Sequence, residues 1–139
     1  MKRPSIPRLP VPTEYAEQST LVQWWHRIGK HRWSDAELLA IPNGGQRHKA
    51  VAAKLVAEGV LAGTPDLYLA ATRTVAGSVY RGIWIEMKRR EGGRLSPAQI
   101  DVHTRLRRAG QIVIVARGWN EASQTIEAYL NGVLEQVAA

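Results

Sequence analysis

The spacing of apolar residues along the chain predicts four helices. The first is expected from about Glu14 to Ile28, with Gly29 as its end, because four apolar residues recur there at helical intervals. They are Leu21, Trp24, Trp25 and Ile28. The other helices are expected over residues 46–59, 96–110 and 120–133. The third is the best marked, since Ser96 can cap it and Pro97 suits its first position.

Four apolar runs between these helices predict the strands of one sheet. They are ELLAIPNGG, closed by its proline and a turn, and then TPDLYLA, VYRGIWIEMKR and QIVIVAR. Residues 71–78 connect the second run to the third as a loop or a hairpin. Two adjacent strands followed by a helical crossover imply both antiparallel and parallel pairing. The predicted fold class is therefore α/β, a mixed sheet covered by helices on both faces.

Length and composition predict one ordinary domain behind an N-terminal arm. Residues 1–12 contain four prolines and should be extended, which leaves 13–139 as a single domain with one core. The chain has no cysteine, which excludes disulfides and a cysteine-based zinc site and suits a reducing cytoplasm. No apolar run follows the basic N-terminus, so neither a signal peptide nor a membrane span is expected.

The charge balance predicts a polyanionic partner. Nineteen Lys and Arg stand against twelve Asp and Glu, which gives a net charge of +7 and a pI near 10.2. Phosphates of nucleic acid are the simplest partner for such a domain, although a solvated basic surface would give the same composition. A membrane surface is disfavoured because the basic residues do not lie along one amphipathic helix.

Two carboxylates and a lysine are predicted to meet at one edge of the sheet. Glu86 and Lys88 alternate with Met87 in the third strand, so they share a face while Met87 packs in the core. Asp66 follows Pro65 at the start of the neighbouring strand, where it can converge with Glu86. Close carboxylates repel unless a cation lies between them, and Mg²⁺ or Mn²⁺ takes such oxygen ligands. The alternative is a surface ion pair between the glutamate and the lysine.

Several segments together resemble the VRR-NUC branch of the PD-(D/E)XK nucleases. They are AIPNGGQR, LVAEGVLAGTPD, GTPDLYL, IWIEMK, LSPAQ and RRAGQIVIVA. The resemblance runs from about Glu14 to Leu130 and is greatest to small stand-alone members encoded by phages and prophages. It implies the restriction-endonuclease-like fold and cleavage of DNA, including branched DNA such as Holliday junctions.

The resemblance also implies roles for individual residues. Asp66, Glu86 and the carbonyl of Met87 would bind Mg²⁺ or Mn²⁺, and Lys88 would act in catalysis. The family's further site residue corresponds to Gln99, which also stands at capping-box spacing from its helix cap and can serve there instead.

An acidic residue on the first helix often completes the site in this family. Glu17 is preferred over Glu14 because it lies on the apolar stripe that faces the sheet. Either carboxylate would also be favourable simply as a charge near the positive end of the helix.

The remaining candidates are expected to contact DNA or to line the site. Residues 43–45 form a turn at the mouth of the site or an ordinary tight turn, and the four histidines are expected at the surface or near DNA. Trp84 either stacks on a base or packs in or near the core. Five basic residues are expected to contact DNA phosphates: Arg47, Lys49, Arg89, Arg90 and Arg94.

These observations favour a Mg²⁺- or Mn²⁺-dependent, structure-specific DNA endonuclease that acts as a homodimer on four-way junctions. A dimer with a two-fold axis would match the two opposed strands of such a junction. The alternatives are a catalytically weak DNA-binding module and a nuclease that acts on flaps, ends or nicked duplex.

Overall fold

One mixed sheet of four strands forms the centre of the protein. The computed structural model describes residues 5, 7–42 and 49–135. The strands are β1 (Glu37–Ala40), β2 (Leu67–Val75), β3 (Ser78–Lys88) and β4 (Ile112–Arg117), and they lie in the order β1-β2-β3-β4. β1 and β3 both pair antiparallel with β2, whereas β3 and β4 are parallel. The mixed pairing predicted from the sequence is therefore confirmed.

Helices lie on both faces of this sheet. The helical segments of the described residues are α1 (Glu14–Trp24), a π-helical turn (Trp25–Gly29), α2 (Lys30–Arg32), α3 (Lys49–Ala57), α4 (Pro97–Arg108) and α5 (Trp119–Leu130), of which α3 has no buried residue. The buried cluster between the sheet, α1 and α5 includes Leu21, Ile85 and Ile126. α4 covers the opposite face, on which Glu86 lies, because residues alternate along β3. α4 is capped by the Ser96 side chain, as predicted.

The prediction that Gly29 ends the first helix is wrong. The helical path widens into the π-helical turn and continues through α2 to Arg32. A Cβ atom on Gly29 would lie 2.3 Å from the ring of Trp25, which is itself buried. The glycine therefore serves close packing against the indole, and it is not a stop signal.

The connection between β2 and β3 is a hairpin with a two-residue turn. Ala76 and Gly77 both have positive φ, at 48° and 82°, as a type I′ turn requires. The strands take up most of the segment expected to be a connection, since β2 reaches Val75 and β3 begins at Ser78. The hairpin fixes the register that carries the predicted site, and it pairs Leu67 with Ile85.

The start of β2 and the ends of β3 and β4 lie together at the end of the sheet that carries the predicted site. The antiparallel pairing brings the start of β2 to the end of β3, and the parallel pairing brings the end of β4 there as well. The N–H of Gly118, just after β4, donates to the carbonyl of Lys88 at 2.9 Å. α5 begins at the next residue, so its positive end lies at this edge.

Candidate active site

A hydrogen bond that the side chain of Asp66 accepts holds this residue against β3. Its Oδ2 accepts the N–H of Met87 at 2.7 Å. Burial, the nearby Glu86 carboxylate and, to a smaller extent, Glu14 together raise the pKa of Asp66 to about 7. The raised pKa marks a crowded group of carboxylates that a bound cation would relieve.

The carbonyl of Met87 has no backbone donor from β2. If the register of β2 and β3 is continued beyond Leu67 and Ile85, Met87 faces Pro65, which has no N–H to donate. The N–H and carbonyl of one strand residue point towards the same neighbouring strand. Since the Met87 N–H is bound by Asp66, its carbonyl is directed to the same side. Proline at position 65 therefore leaves an oxygen ligand available beside the carboxylates.

Glu86 lies under α4, where two side chains of that helix hold it. It is 1% exposed, and its Oε1 accepts from Nε2 of Gln99 at 2.7 Å. Gln99 also completes the capping box, because its own Oε1 accepts the N–H of Ser96 at 2.9 Å. The two alternative roles considered for Gln99, the cap and the site contact, are thus combined in one side chain.

His103 is a site contact that the sequence interpretation missed. It was expected at the surface or near DNA, but it is 1% exposed, and its Nε2 lies 3.1 Å from Oε2 of Glu86. One signal was present in the sequence. His103 stands four residues after Gln99, so the two side chains lie on the same face of α4.

Lys88 is buried and paired with the first helix. It is 5% exposed, and its Nζ lies 3.3 Å from Oε1 of the half-exposed Glu14. The structure therefore brings Glu14 beside the lysine of the predicted site, and Glu14 also affects the pKa of Asp66.

Glu17, the residue preferred from the sequence, makes different contacts. Its Oε2 accepts the N–H of Trp119 at 2.6 Å, at the start of α5. Its Oε1 lies 3.0 Å from Nε of Arg90. Within the described part of the chain, both carboxylate oxygens of this buried residue are thus bound to groups outside the Asp66, Glu86 and Lys88 cluster. Their contacts are those of an anchor between α1, α5 and the segment that follows β3.

The segment after β3, residues 89–96, is fixed by arginine contacts at three points. Arg90 binds Glu17, Arg8 makes two bonds to Glu91 at 2.6 and 2.7 Å, and Arg117 donates to the carbonyl of Gly93 at 2.6 Å. We call residues 89–96 the site loop. It lies directly beyond Lys88, so its basic side chains border the site.

The residues predicted to contact DNA therefore differ in their surroundings. Arg89 and Arg94 are exposed on the site loop, and neither has an acidic partner among the described residues. Arg90 is partly engaged by Glu17, and Lys49 is exposed at the start of α3. Arg47 and the turn at residues 43–45 lie outside the described residues.

Trp84 packs beside the site on the α4 face of the sheet. Its ring lies 4.7 Å from that of Tyr68, and its Nε1 donates to Oε1 of Gln111 at 3.2 Å. The side chain is half-buried, so it lines the surface below α4.

A glycine allows the segment before β2 to contact α4. Gly63 has a φ of +93°, and a Cβ there would lie 2.3 Å from the backbone oxygen of Ala98. This close approach joins the segment that carries Asp66 to the first turn of the helix that carries Gln99 and His103. The elements of the site are thus connected through backbone contacts as well as through side chains.

The residues at this edge fit a hard divalent cation that keeps some of its water. Two carboxylates, of Asp66 and Glu86, and the Met87 carbonyl provide oxygen donors, which Mg²⁺ and Mn²⁺ prefer. Across residues 5, 7–42 and 49–135, no group of three or more histidine, cysteine or acidic side chains forms a metal cage. The donor set therefore suits an ion bound by one or two carboxylates plus waters, as is usual for Mg²⁺.

A sequence model of the VRR-NUC domain matches residues 12–120. The chain belongs to the VRR-NUC family. A solved structure described as a VRR_NUC domain protein is 26% identical and superposes with a TM-score of 0.71, covering 93% of this chain and all of that one. No match was found among curated proteins.

Membership of the VRR-NUC family has two consequences for this chain. Its mixed sheet with flanking helices is a restriction-endonuclease-like fold, as predicted, and the family indicates a nuclease that acts on DNA.

None of the helices in the described part of the chain has the length and apolar character of a membrane span.

Proposed function

We propose that this VRR-NUC protein is a Mg²⁺- or Mn²⁺-dependent DNA endonuclease that hydrolyses phosphodiester bonds. The observation that carries the proposal is the cluster of Asp66 and Glu86 beside the buried ammonium of Lys88. Burial of three charged or ionisable groups at one sheet edge is costly unless they serve a ligand or each other. A divalent cation bound by Asp66, Glu86 and the Met87 carbonyl would neutralise charge on the scissile phosphate.

Lys88 is the residue we assign to the reacting phosphate. Its ammonium is almost fully buried, so its charge acts in a medium of low dielectric and is felt more strongly than in water. Glu14 holds this ammonium at 3.3 Å and so limits the positions that it can take. Lys88 then stabilises the charge that develops on the phosphate oxygens or orients the attacking water.

The site loop provides the contacts that bring DNA to these groups. Arg89 and Arg94 are exposed and follow Lys88 in the chain, Arg89 directly and Arg94 later in the site loop. Because contacts to phosphates are made mainly by Arg and Lys and carry little sequence information, they would position the backbone of any DNA strand. This arrangement supports structure-dependent cleavage without base readout.

Plasmid nicking tests the proposed activity. Wild-type protein should nick supercoiled plasmid with Mg²⁺ or Mn²⁺ and lose activity when EDTA is added. Asp66→Ala and Glu86→Ala should abolish nicking but retain DNA binding measured in Ca²⁺, because the basic surface is unchanged. Wild-type rates in either variant at saturating Mg²⁺ would remove these residues from the proposed site.

The same assay separates the enzyme from the alternative, a DNA-binding module with a weak site. The observation in favour of the module is that Lys88 has a carboxylate partner in Glu14, as an ordinary ion pair would. Lys88→Ala should lose cleavage while its Mn²⁺ affinity stays near wild type. Parallel loss of metal affinity and rate would instead identify Lys88 as part of a structural ion pair.

The proposal for the substrate is a four-way junction bound by a homodimer. One chain carries one candidate site, so a symmetric cut in two opposed strands needs two copies. Three exposed apolar side chains on and after α3 are candidates for a contact between two copies. They are Val51, Val56 and Leu61.

Competition between substrates tests this proposal. Sedimentation should give twice the monomer mass, and a junction should outcompete a linear duplex of equal length at fixed salt. Binding to both should weaken steeply as salt rises, because phosphate contacts dominate the affinity. A monomer that cuts both DNAs equally would refute the junction proposal and leave the metal-dependent nuclease in place.

A further inference from the structure

Both oxygens of the buried Glu86 carboxylate have a partner on one face of α4. Gln99 donates to Oε1 at 2.7 Å, and Nε2 of His103 lies 3.1 Å from Oε2. The two partners are four residues apart on one helix, so they keep a fixed separation. A glutamate side chain normally turns easily about its last torsion angle, but a carboxylate held at both oxygens does not.

Among the described residues, the contact to Glu86 is the one polar contact of the His103 ring. An ionised carboxylate can only accept, so with Glu86 in the charged form that binds a cation, Nε2 of His103 carries the proton and donates. The other ring nitrogen, Nδ1, is buried and has no hydrogen-bond partner among the described residues. An unpaired buried polar atom costs stability, so a histidine buried only for packing would be expected to have hydrogen-bond partners on both ring nitrogens. Within the described part of the chain, Glu86 is therefore the polar group that orients the ring.

We propose that His103 is a positioning residue for the nuclease site, and that its Nε2–H fixes the Glu86 carboxylate in the orientation that accepts a divalent cation. The inference rests on the proposed function, because Glu86 has that ligand role there. His103 contacts Glu86 from α4 and acts on DNA cleavage only through that carboxylate. Partners of this kind behind a metal ligand typically change metal affinity or activity by about 10- to 100-fold.

Direct measurement of Mn²⁺ binding by calorimetry tests the inference without relying on cleavage. His103→Leu removes the donor at similar volume and should weaken Mn²⁺ binding by about 10- to 100-fold. His103→Gln can place an amide N–H near the position of Nε2 and should recover most of the affinity. Val102→Ala is the matched control, because it removes packing from the neighbouring buried position of α4 and leaves both hydrogen-bonding partners of Glu86 in place. This control should keep wild-type Mn²⁺ affinity.

A second measurement needs no variant, in case His103→Leu fails to fold. Long-range proton–nitrogen NMR on wild-type protein should show His103 with its proton on Nε2. A proton on Nδ1 alone would overturn the inference, because Nε2 could then not donate to Glu86.

The outcomes separate this inference from the proposed function. If wild type binds Mn²⁺ and both His103 variants bind it equally well, His103 has no positioning role and the nuclease proposal stands. An equal loss of Mn²⁺ affinity in Val102→Ala and His103→Leu would also overturn the inference, since it would show that general loosening of α4 weakens metal binding. If wild type binds neither Mn²⁺ nor Mg²⁺, the proposed function falls first, and this inference falls with it.

Discussion

Replacing Glu17 by alanine should destabilise the fold, whereas replacing Glu14 should affect the site. Glu17 is 2% exposed and accepts the N–H of Trp119 at 2.6 Å. Trp119 is the first residue of α5, so its N–H has no partner within the helix. Alanine at position 17 would leave this donor unsatisfied and would leave Arg90 without its buried partner.

The size of the effect follows from these contacts. A hydrogen bond to a charged group contributes about 1.5–3 kcal/mol, and a carboxylate at a helix N-terminus adds about 0.3–1 kcal/mol. The ion pair adds little, because the Arg90 side chain is half-exposed. The free energy of unfolding should therefore fall by about 2–4 kcal/mol. At about 3 °C per kcal/mol for a domain of this size, the melting temperature should fall by roughly 6–12 °C.

Matched variants identify the cause. Glu17→Gln keeps an oxygen acceptor for the Trp119 N–H and should lose only part of the stability. Glu14→Ala removes a half-exposed carboxylate but leaves the buried Lys88 without that partner, so its free energy of unfolding should fall, although by less than that of Glu17→Ala. Its cleavage rate should fall, because Lys88 loses the partner that holds it.

Thermal denaturation followed by circular dichroism, together with cleavage rates corrected for the folded fraction, measures both effects. The reasoning is refuted if Glu17→Ala melts within about 1 °C of wild type and has lost cleavage. That result would assign Glu17 to the chemistry, as the sequence interpretation preferred.

Three further predictions concern acidity, backbone packing and DNA. The pKa of Asp66 is raised to about 7 in the folded protein, so protonation of this carboxyl group stabilises the fold at low pH. Metal-free wild type should therefore lose stability relative to Asp66→Asn as the pH rises from about 4 through about 7. Parallel curves of stability against pH would contradict this. Gly63→Ala should lower the free energy of unfolding by at least about 2 kcal/mol and slow cleavage, because the added Cβ meets the Ala98 carbonyl. Gly59→Ala has a similar φ but open space around it, so it should lower the free energy of unfolding by only about 1 kcal/mol. Equal losses in the two variants would exclude the contact with Ala98. Arg94→Ala should weaken DNA binding and reduce the salt dependence by about one phosphate contact without changing the melting temperature; an unchanged salt slope would argue against that contact.

The strands and their faces could be predicted from the sequence because a strand has a strict two-residue period. That period alone placed Met87 in the core and Glu86 with Lys88 on the other face. The convergence of Asp66 with Glu86 needed only the assumption that β2 and β3 pair, which a short connection favours.

Other features depend on contacts between distant parts of the chain, which local patterns do not contain. Glu14 and Glu17 lie one turn apart on α1, and the partner of Glu17 is Trp119, which is 102 residues away. The contact between His103 and Glu86 could not be predicted without the path of the crossover from β3 to β4. Gly29 illustrates a different ambiguity, because a glycine serves equally as a helix end or as room for a bulky neighbour such as Trp25.

The turn at Ala76 and Gly77 closes the hairpin at the end of the sheet opposite to the site. The nine residues of β2 separate it from Asp66, which at about 3.3 Å per residue is roughly 30 Å. Both turn residues are exposed. A fluorophore, an affinity tag or a recognition domain attached to an exposed side chain there would leave the reacting groups untouched, as long as the two-residue turn that sets the register is kept. The hairpin thus offers an attachment point from which the cleavage module could be directed to chosen DNA.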